Sequence, residues 1–288
     1  MSAATRSAAP MVPTRSVRRP RRGLGELSFV GVATLVGLFL GLPIVVLVWR
    51  AVAGGALLEA VGSGAVLDAL WLSLVTTAIS VALTVGFGTP LAFILARRRF
   101  RGSGLVEAIV DLPIVLPPSV AGLALLLVFG RRGLLGGPLD GLGLAIPFTT
   151  LAVILAQTFV AAPFFIRSAR AGFAAVDRDL EDAARVDGAD ERQVLRWIVL
   201  PLAAPALAAG LVMSWARALG EFGATIMFAG SIAGRTQTLP LVVYGEFQTG
   251  YLDPSIAAAA ILVLAALGVL IAVRGLRWGR ALDLRAGG

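Results

Sequence analysis

The chain contains no cysteine, no histidine and no lysine. The first absence removes disulfides, thiolate nucleophiles and soft metal ligands; the second removes the usual zinc ligand and the imidazole base. No metal site or catalytic residue is therefore expected. Without lysine, the phosphate-cradling motif G-x-x-x-x-G-K-[ST] cannot be written anywhere in the chain, so ATP hydrolysis that serves it belongs to another polypeptide. Charge is scarce as well. Only 15% of the 288 residues are charged and 58% are hydrophobic, and the mean hydropathy is +0.89. A soluble domain needs a far more polar surface, which places the chain in the membrane class before any motif is read.

What charge there is has a pattern. All 25 basic residues are arginine and the net charge is +8. The arginines gather at the edges of apolar blocks and lack the aromatic interleaving of a single-strand binder, which argues against nucleic acid. A helix needs about 20 apolar residues to cross a bilayer. Six blocks qualify, at 27–49, 69–96, 108–130, 142–166, 199–220 and 255–273. The third and fourth carry Pro113, Pro117, Pro118 and Pro163 and read as kinked or interrupted helices inside a bundle, where neighbours satisfy the freed carbonyls. The first block is too long for a signal-peptide core and reads as a retained anchor. Twenty arginines lie before block one, after block two, between blocks four and five, and after block six. The opposite loops hold four: Arg50, Arg131, Arg132 and Arg235. By the positive-inside rule both termini are cytoplasmic. The expected architecture is all-α with six transmembrane helices, a basic disordered tail over 1–26, a core over 67–274 and a short cytoplasmic tail over 275–288.

The segment 177–201, between blocks four and five, is the richest in local signals. Asp177 is placed to cap a helix whose first turn carries Asp179 and Glu181, where the helix dipole favours acids. Leu180, Ala183 and Ala184 fall at i, i+3 and i+4 and make a small-residue stripe. Gly188 breaks the helix as a left-handed C′ residue would. Asp190 and Gln193 have capping-box spacing, and Pro201 opens the next span. The result is a helix–Gly–helix elbow on the cytoplasmic surface, suited to turning a push from a cytosolic protein into movement of a span. An ordinary interfacial helix pair has the same periodicity.

These residues resemble the coupling motif of type-1 ABC importer permeases: Glu-Ala-Ala, three residues, Gly, nine residues, Ile-x-Leu-Pro. Asp182, Ala183 and Ala184 match its start, Gly188 its glycine, and Ile198, Leu200 and Pro201 its end, with Asp182 in place of the family's Glu and Glu181 beside it. Within that family, the stretches at 111–118, 157–165, 216–225 and 234–241 are similar to molybdate permeases; sulfate and thiosulfate permeases share the Arg-Ala-x-Gly-Glu core and form the alternative. The resemblance implies a homodimer in the bacterial cytoplasmic (inner) membrane, in contact with membrane lipid. It implies that the dimer works on two ATPase subunits and takes molybdate, and possibly tungstate, from a periplasmic or lipid-anchored oxyanion-binding protein by alternating access. No cofactor is expected on this chain, since ATP is used by the partner ATPase.

Arg217 is the one charge deep in a block. Burying it alone costs about 2.5–3.5 kcal/mol, and Glu221 lies one turn away as a partner. Two readings stand: Arg217 lines the path and offers its cation to an oxyanion, or the pair staples the gate. Thr225, Arg235, Thr236 and Thr238 offer donors at the outer mouth, or contact the binding protein. A membrane enzyme would show clustered carboxylates or histidine, and a passive channel would have no need of the elbow.

Overall fold

Two adjacent prolines interrupt a helix, and in the third block they divide it sharply. The computed structural model describes residues 24–98 and 100–286. Its helices are α1 (Leu24–Ala53), α2 (Ala56–Gly62), α3 (Gly64–Arg97), α4 (Ser103–Val115), α5 (Pro118–Phe129), α6 (Gly136–Gly141), α7 (Thr150–Ala174), α8 (Arg178–Val186), α9 (Glu191–Val194), α10 (Leu200–Leu219), α11 (Gly223–Phe228), α12 (Leu239–Gln248) and α13 (Leu252–Ala286). Among the described residues there is no strand. Five helices are long and apolar enough to cross a membrane, and there are six when the bent pair α4–α5 counts as one.

That pair is bent by 120°. Leu116 and Pro117 each precede a proline and take extended ψ values of 134° and 135°, because the following ring disfavours the helical conformation. The block at 108–130 is thus two helices. The fourth block is not interrupted at its proline. α7 runs unbroken through Pro163, since the fixed φ of proline is helical and a bundle tolerates one missing N–H. It also starts later than expected, at Thr150, where the Thr149 hydroxyl accepts the Ala152 N–H. The last helix continues past its apolar block, so residues 275–286 of the expected tail are helical. The basic tail expected over 1–26 falls, up to residue 23, outside the described residues.

The chain divides after Val46. The first unit ends in the exposed apolar part of α1, with Phe29, Leu35 and Phe39 uncovered. In the second unit α7 packs between α3 and α10 along seams of small and polar residues. On α3 the buried residues Ser73, Thr77, Ser80, Gly88 and Ala92 share the inner face, while Trp71, Ile79, Phe87 and Ile94 are exposed, as a lipid-facing stripe would be. The Ser80 hydroxyl donates to the Ile154 carbonyl at 3.0 Å, and the fully buried Gln157 donates to Thr77 at 3.4 Å. Ser168 and Ser214 reach carbonyls across the α7–α10 seam. Such bonds between spans contribute about 0.6–2 kcal/mol each. Two ion pairs, Arg170–Glu107 at 2.9 Å and Arg167–Asp111 at 3.4 Å, hold α4 against α7.

Close approach also joins α5 to α11. A Cβ on Gly122 would lie 2.6 Å from the Ala224 carbonyl oxygen, a distance the backbone cannot absorb by a rotamer change. Gly86, on the outer face of α3, has open space at its Cβ position. We expect Gly122→Ala to lower stability by about 1–3 kcal/mol, seen as a lower thermal midpoint of the detergent-solubilised protein, while Gly86→Ala leaves the midpoint unchanged or slightly raised.

Candidate functional site

The elbow forms at the end of the bundle where α3 and α7 finish and α10 begins. α8 starts at Asp177, whose carboxylate accepts the Asp179 N–H at 3.1 Å. It ends in a Schellman turn: the Ala189 N–H reaches the Ala184 carbonyl and the Gly188 N–H the Arg185 carbonyl, with Gly188 at φ 92°. The capping box at α9 is complete, with Asp190 accepting the Gln193 N–H and Gln193 accepting the Asp190 N–H, both at 2.8 Å. Pro201 lies in the first turn of α10, as expected, and the elbow runs into that helix without a break. A π turn over Leu195–Val199 links α9 to α10, so the helical path runs from Glu191 to Leu219. Pro201 has no N–H for the Trp197 carbonyl, and its ring crowds that carbonyl in an α-helix; a wider turn just before it relieves both.

The stripe read from spacing divides. Ala184 packs inward against Val176 and Val194, while Leu180, Ala183 and Val186 stay exposed. Val186, at 87% exposure, is more uncovered than Leu180. The inward acid is Glu181 rather than Asp182. Glu181 is buried and paired with Arg97, the last residue of α3, with side-chain exposures of 9% and 10%. Arg185 then spans the elbow, reaching Asp182 at 2.7 Å, Glu191 at 2.8 Å and Glu181 at 3.4 Å. The hydrogen bond from Arg185 holds the Glu191 carboxyl below its usual range, helped by the charge of the guanidinium, and the same bond raises Arg185 above its own. Arg178 adds a donor to the Arg97 carbonyl at 3.4 Å, a cation at a helix C-terminus. Ile198 and Leu200 are half-buried and Pro201 is exposed.

Arg97, Arg185 and Glu191 are the residues that reading by motif missed. Arg97 is one of four arginines that follow block two, and its partner lies 84 positions along the chain. Arg185 and Glu191 are six apart, a spacing that only the turn at Gly188 brings together.

At the far end of α10 the Arg217–Glu221 pair forms at 2.6 Å. Glu221 is 1% exposed, and its other oxygen accepts the Ala224 N–H at 2.7 Å, so the pair braces the break between α10 and α11. Thr225 is fully buried on α11, and among the described residues neither its hydroxyl nor that of buried Thr238 has a hydrogen-bond partner. Thr236 is buried in the next loop, where its hydroxyl accepts the Ile232 N–H and donates to the Gly230 carbonyl. Arg235 is exposed, with its carbonyl bound by the Thr150 hydroxyl at 2.9 Å.

A polytopic helical bundle whose surface elbow is the first turn of a span belongs to the class of membrane transport permeases. Residues 88–278 match the model of the binding-protein-dependent transport system inner membrane component, and the chain belongs to that family. It is 44% identical over 203 residues to the molybdenum transport system permease protein ModB of Mycobacterium bovis, covering 70% of this chain and 76% of that one. It is 35% identical to the molybdate/tungstate transport system permease protein WtpB of Pyrococcus abyssi, over 86% of this chain and 94% of that one. Its fold is similar to a chain of a bacterial alginate ABC transporter solved in complex with an alginate pentasaccharide-bound periplasmic protein, with a TM-score of 0.68 and 19% identity over 86% and 92% of the two chains.

Removing Glu181 leaves the buried charge of Arg97 uncompensated, at a cost of about 3–5 kcal/mol; removing Arg97 leaves Glu181 with Arg185 at 3.4 Å and costs less. Glu181→Ala and Arg97→Ala are each expected to lower the thermal midpoint of the purified protein. The double exchange Arg97→Glu with Glu181→Arg should recover at least half of that loss; recovery of none would mean that the pair contributes through packing alone.

Proposed function

We propose that this chain is the permease subunit of an ATP-driven importer of molybdate, with tungstate as a second substrate. The observation that carries the transport mechanism is the unbroken helical path from the elbow into α10. A force applied to α9 reaches a span through continuous helix, and Arg185 ties α8 to α9 across the turn at Gly188. The oxyanion follows from relatives named for molybdenum and for molybdate/tungstate transport, which favours molybdate over the sulfate alternative.

On this reading the elbow faces the cytoplasm, in agreement with the arginine asymmetry, and its exposed Leu180, Ala183 and Val186 meet an ATPase subunit. Two copies of the chain work with two such subunits, which bind and hydrolyse the ATP; this chain holds no cofactor of its own. A periplasmic or lipid-anchored binding protein delivers the anion to the opposite end of the bundle. Arg217 acts there as a brace rather than an anion ligand, because Glu221 already neutralises its charge and fixes the start of α11.

Uptake into proteoliposomes containing the permease, its ATPase and its binding protein tests the assignment. Molybdate uptake should require ATP and be competed by tungstate, with sulfate taken up at least tenfold more slowly. Equal rates for sulfate, or molybdate flux through the permease without the ATPase, would refute it. In the same assay Arg217→Ala is expected to lower kcat with KM for the molybdate-loaded binding protein unchanged. A raised KM at constant kcat would assign Arg217 to ligand binding instead.

A further inference from the structure

At the end of the bundle opposite the elbow, where α5 finishes and α7 begins, a cavity of about 660 Å³ is lined by Arg131, Arg132 and Arg235 together with Leu126, Leu127 and Phe148. All three arginines are exposed. Among the described residues none of them lies within 4 Å of a carboxylate. They come from two segments more than a hundred positions apart, and each segment is held firmly. The turn that carries Arg131 and Arg132 is closed by three backbone hydrogen bonds: Gly133 N–H to Gly130 at 2.8 Å, Leu134 N–H to Leu127 at 3.0 Å, and Leu135 N–H to Val128 at 2.8 Å. Arg235 is fixed through its own carbonyl by the Thr150 hydroxyl at 2.9 Å. Phe148, on the cavity wall, sits at φ 60°, a left-handed conformation that a bulky residue adopts only where its surroundings impose it.

Like charges gathered without counter-charges repel in the free chain, and they focus a positive potential into the space between them. The space is far larger than a four-oxygen anion, and most of its wall is apolar, so a single hydrated oxyanion would leave most of it unfilled. An acidic segment of a protein fits both features, with carboxylates against the guanidiniums and aliphatic carbons against Leu126, Leu127 and Phe148. We propose that this cavity seats an acidic surface segment of the binding protein. The inference rests on the importer reading above and names the residues and the chemistry through which that partner docks.

The test uses the permease–ATPase complex in nanodiscs, titrated with molybdate-loaded binding protein. The triple variant Arg131→Glu, Arg132→Glu, Arg235→Glu should bind it at least tenfold more weakly and lose most of the salt dependence shown by the wild type. The triple glutamine variant, gentler on folding, should fall between the two, with size-exclusion profiles confirming assembly of all three. Unchanged binding-protein affinity in both variants, while the wild type still imports molybdate, overturns the docking proposal and leaves the importer reading standing. Failure of the wild type to import molybdate overturns the importer reading itself. Two further outcomes also refute docking. One is molybdate alone binding the wild type and not the variants, which assigns the cavity to the free anion. The other is an affinity difference that vanishes when anionic lipid is omitted from the nanodisc, which assigns it to a headgroup.

Discussion

In a bilayer an apolar side chain gains little by leaving lipid for another helix, so the bundle depends on how closely its backbones approach. The seams of α7 with α3 and α10 are built for that approach. Gly88, Gly172 and Gly210 each have a neighbouring side chain or backbone where a Cβ would stand, and serine and threonine hydroxyls bond across the gap in place of bulk. The arrangement also explains why so many small residues are needed in a chain that is otherwise apolar. On α3 the large side chains Trp71 and Phe87 stand on the outer face, where lipid accommodates any shape.

Where the spans leave hydrocarbon, a second kind of bond takes over. Glu181 connects the elbow to the end of α3, while the π turn connects it to α10, so the elbow grips two spans by unlike means. One grip is covalent and helical; the other is a pair of charges screened from water by burial, which salt weakens little. The exposed pairs of Arg185 behave differently. They lie in solvent and are screened readily; their part is to keep α8 and α9 in one relative orientation. Leu180, Ala183 and Val186 are the exposed apolar side chains that α8 leaves for a partner to cover.

Much of this was legible in the sequence wherever the signal was local. Capping by Asp177 and Asp190 with Gln193, the break at Gly188, and the position of the elbow between two spans follow from residues a few positions apart. The span count followed from hydropathy. The angle at Leu116–Pro117 did not, because two prolines announce a break without saying how far the chain turns. Nor did the short helices α11 and α12, which lie beyond an apolar block and depend on Glu221 and on contacts with α5 and α3. The inward turn of Glu181 was hidden for another reason: adjacent acids on a helix point about 100° apart, and which of Glu181 and Asp182 faces the bundle is decided by Arg97, far off in the chain. The meeting of Arg235 with Arg131 and Arg132 is of the same kind.

The π turn at Leu195–Val199 has a geometric consequence. An α-helix advances about 100° per residue, and a single wider turn takes in one residue more. Every side chain on α10 beyond it is therefore rotated by about that much relative to α8 and α9, compared with a plain continuation of the helix. The elbow's exposed face and the seam that carries Gly210 and Ser214 are set in phase by this one insertion. Two surfaces that answer to different partners, one outside the membrane and one within it, thus share a single angular reference.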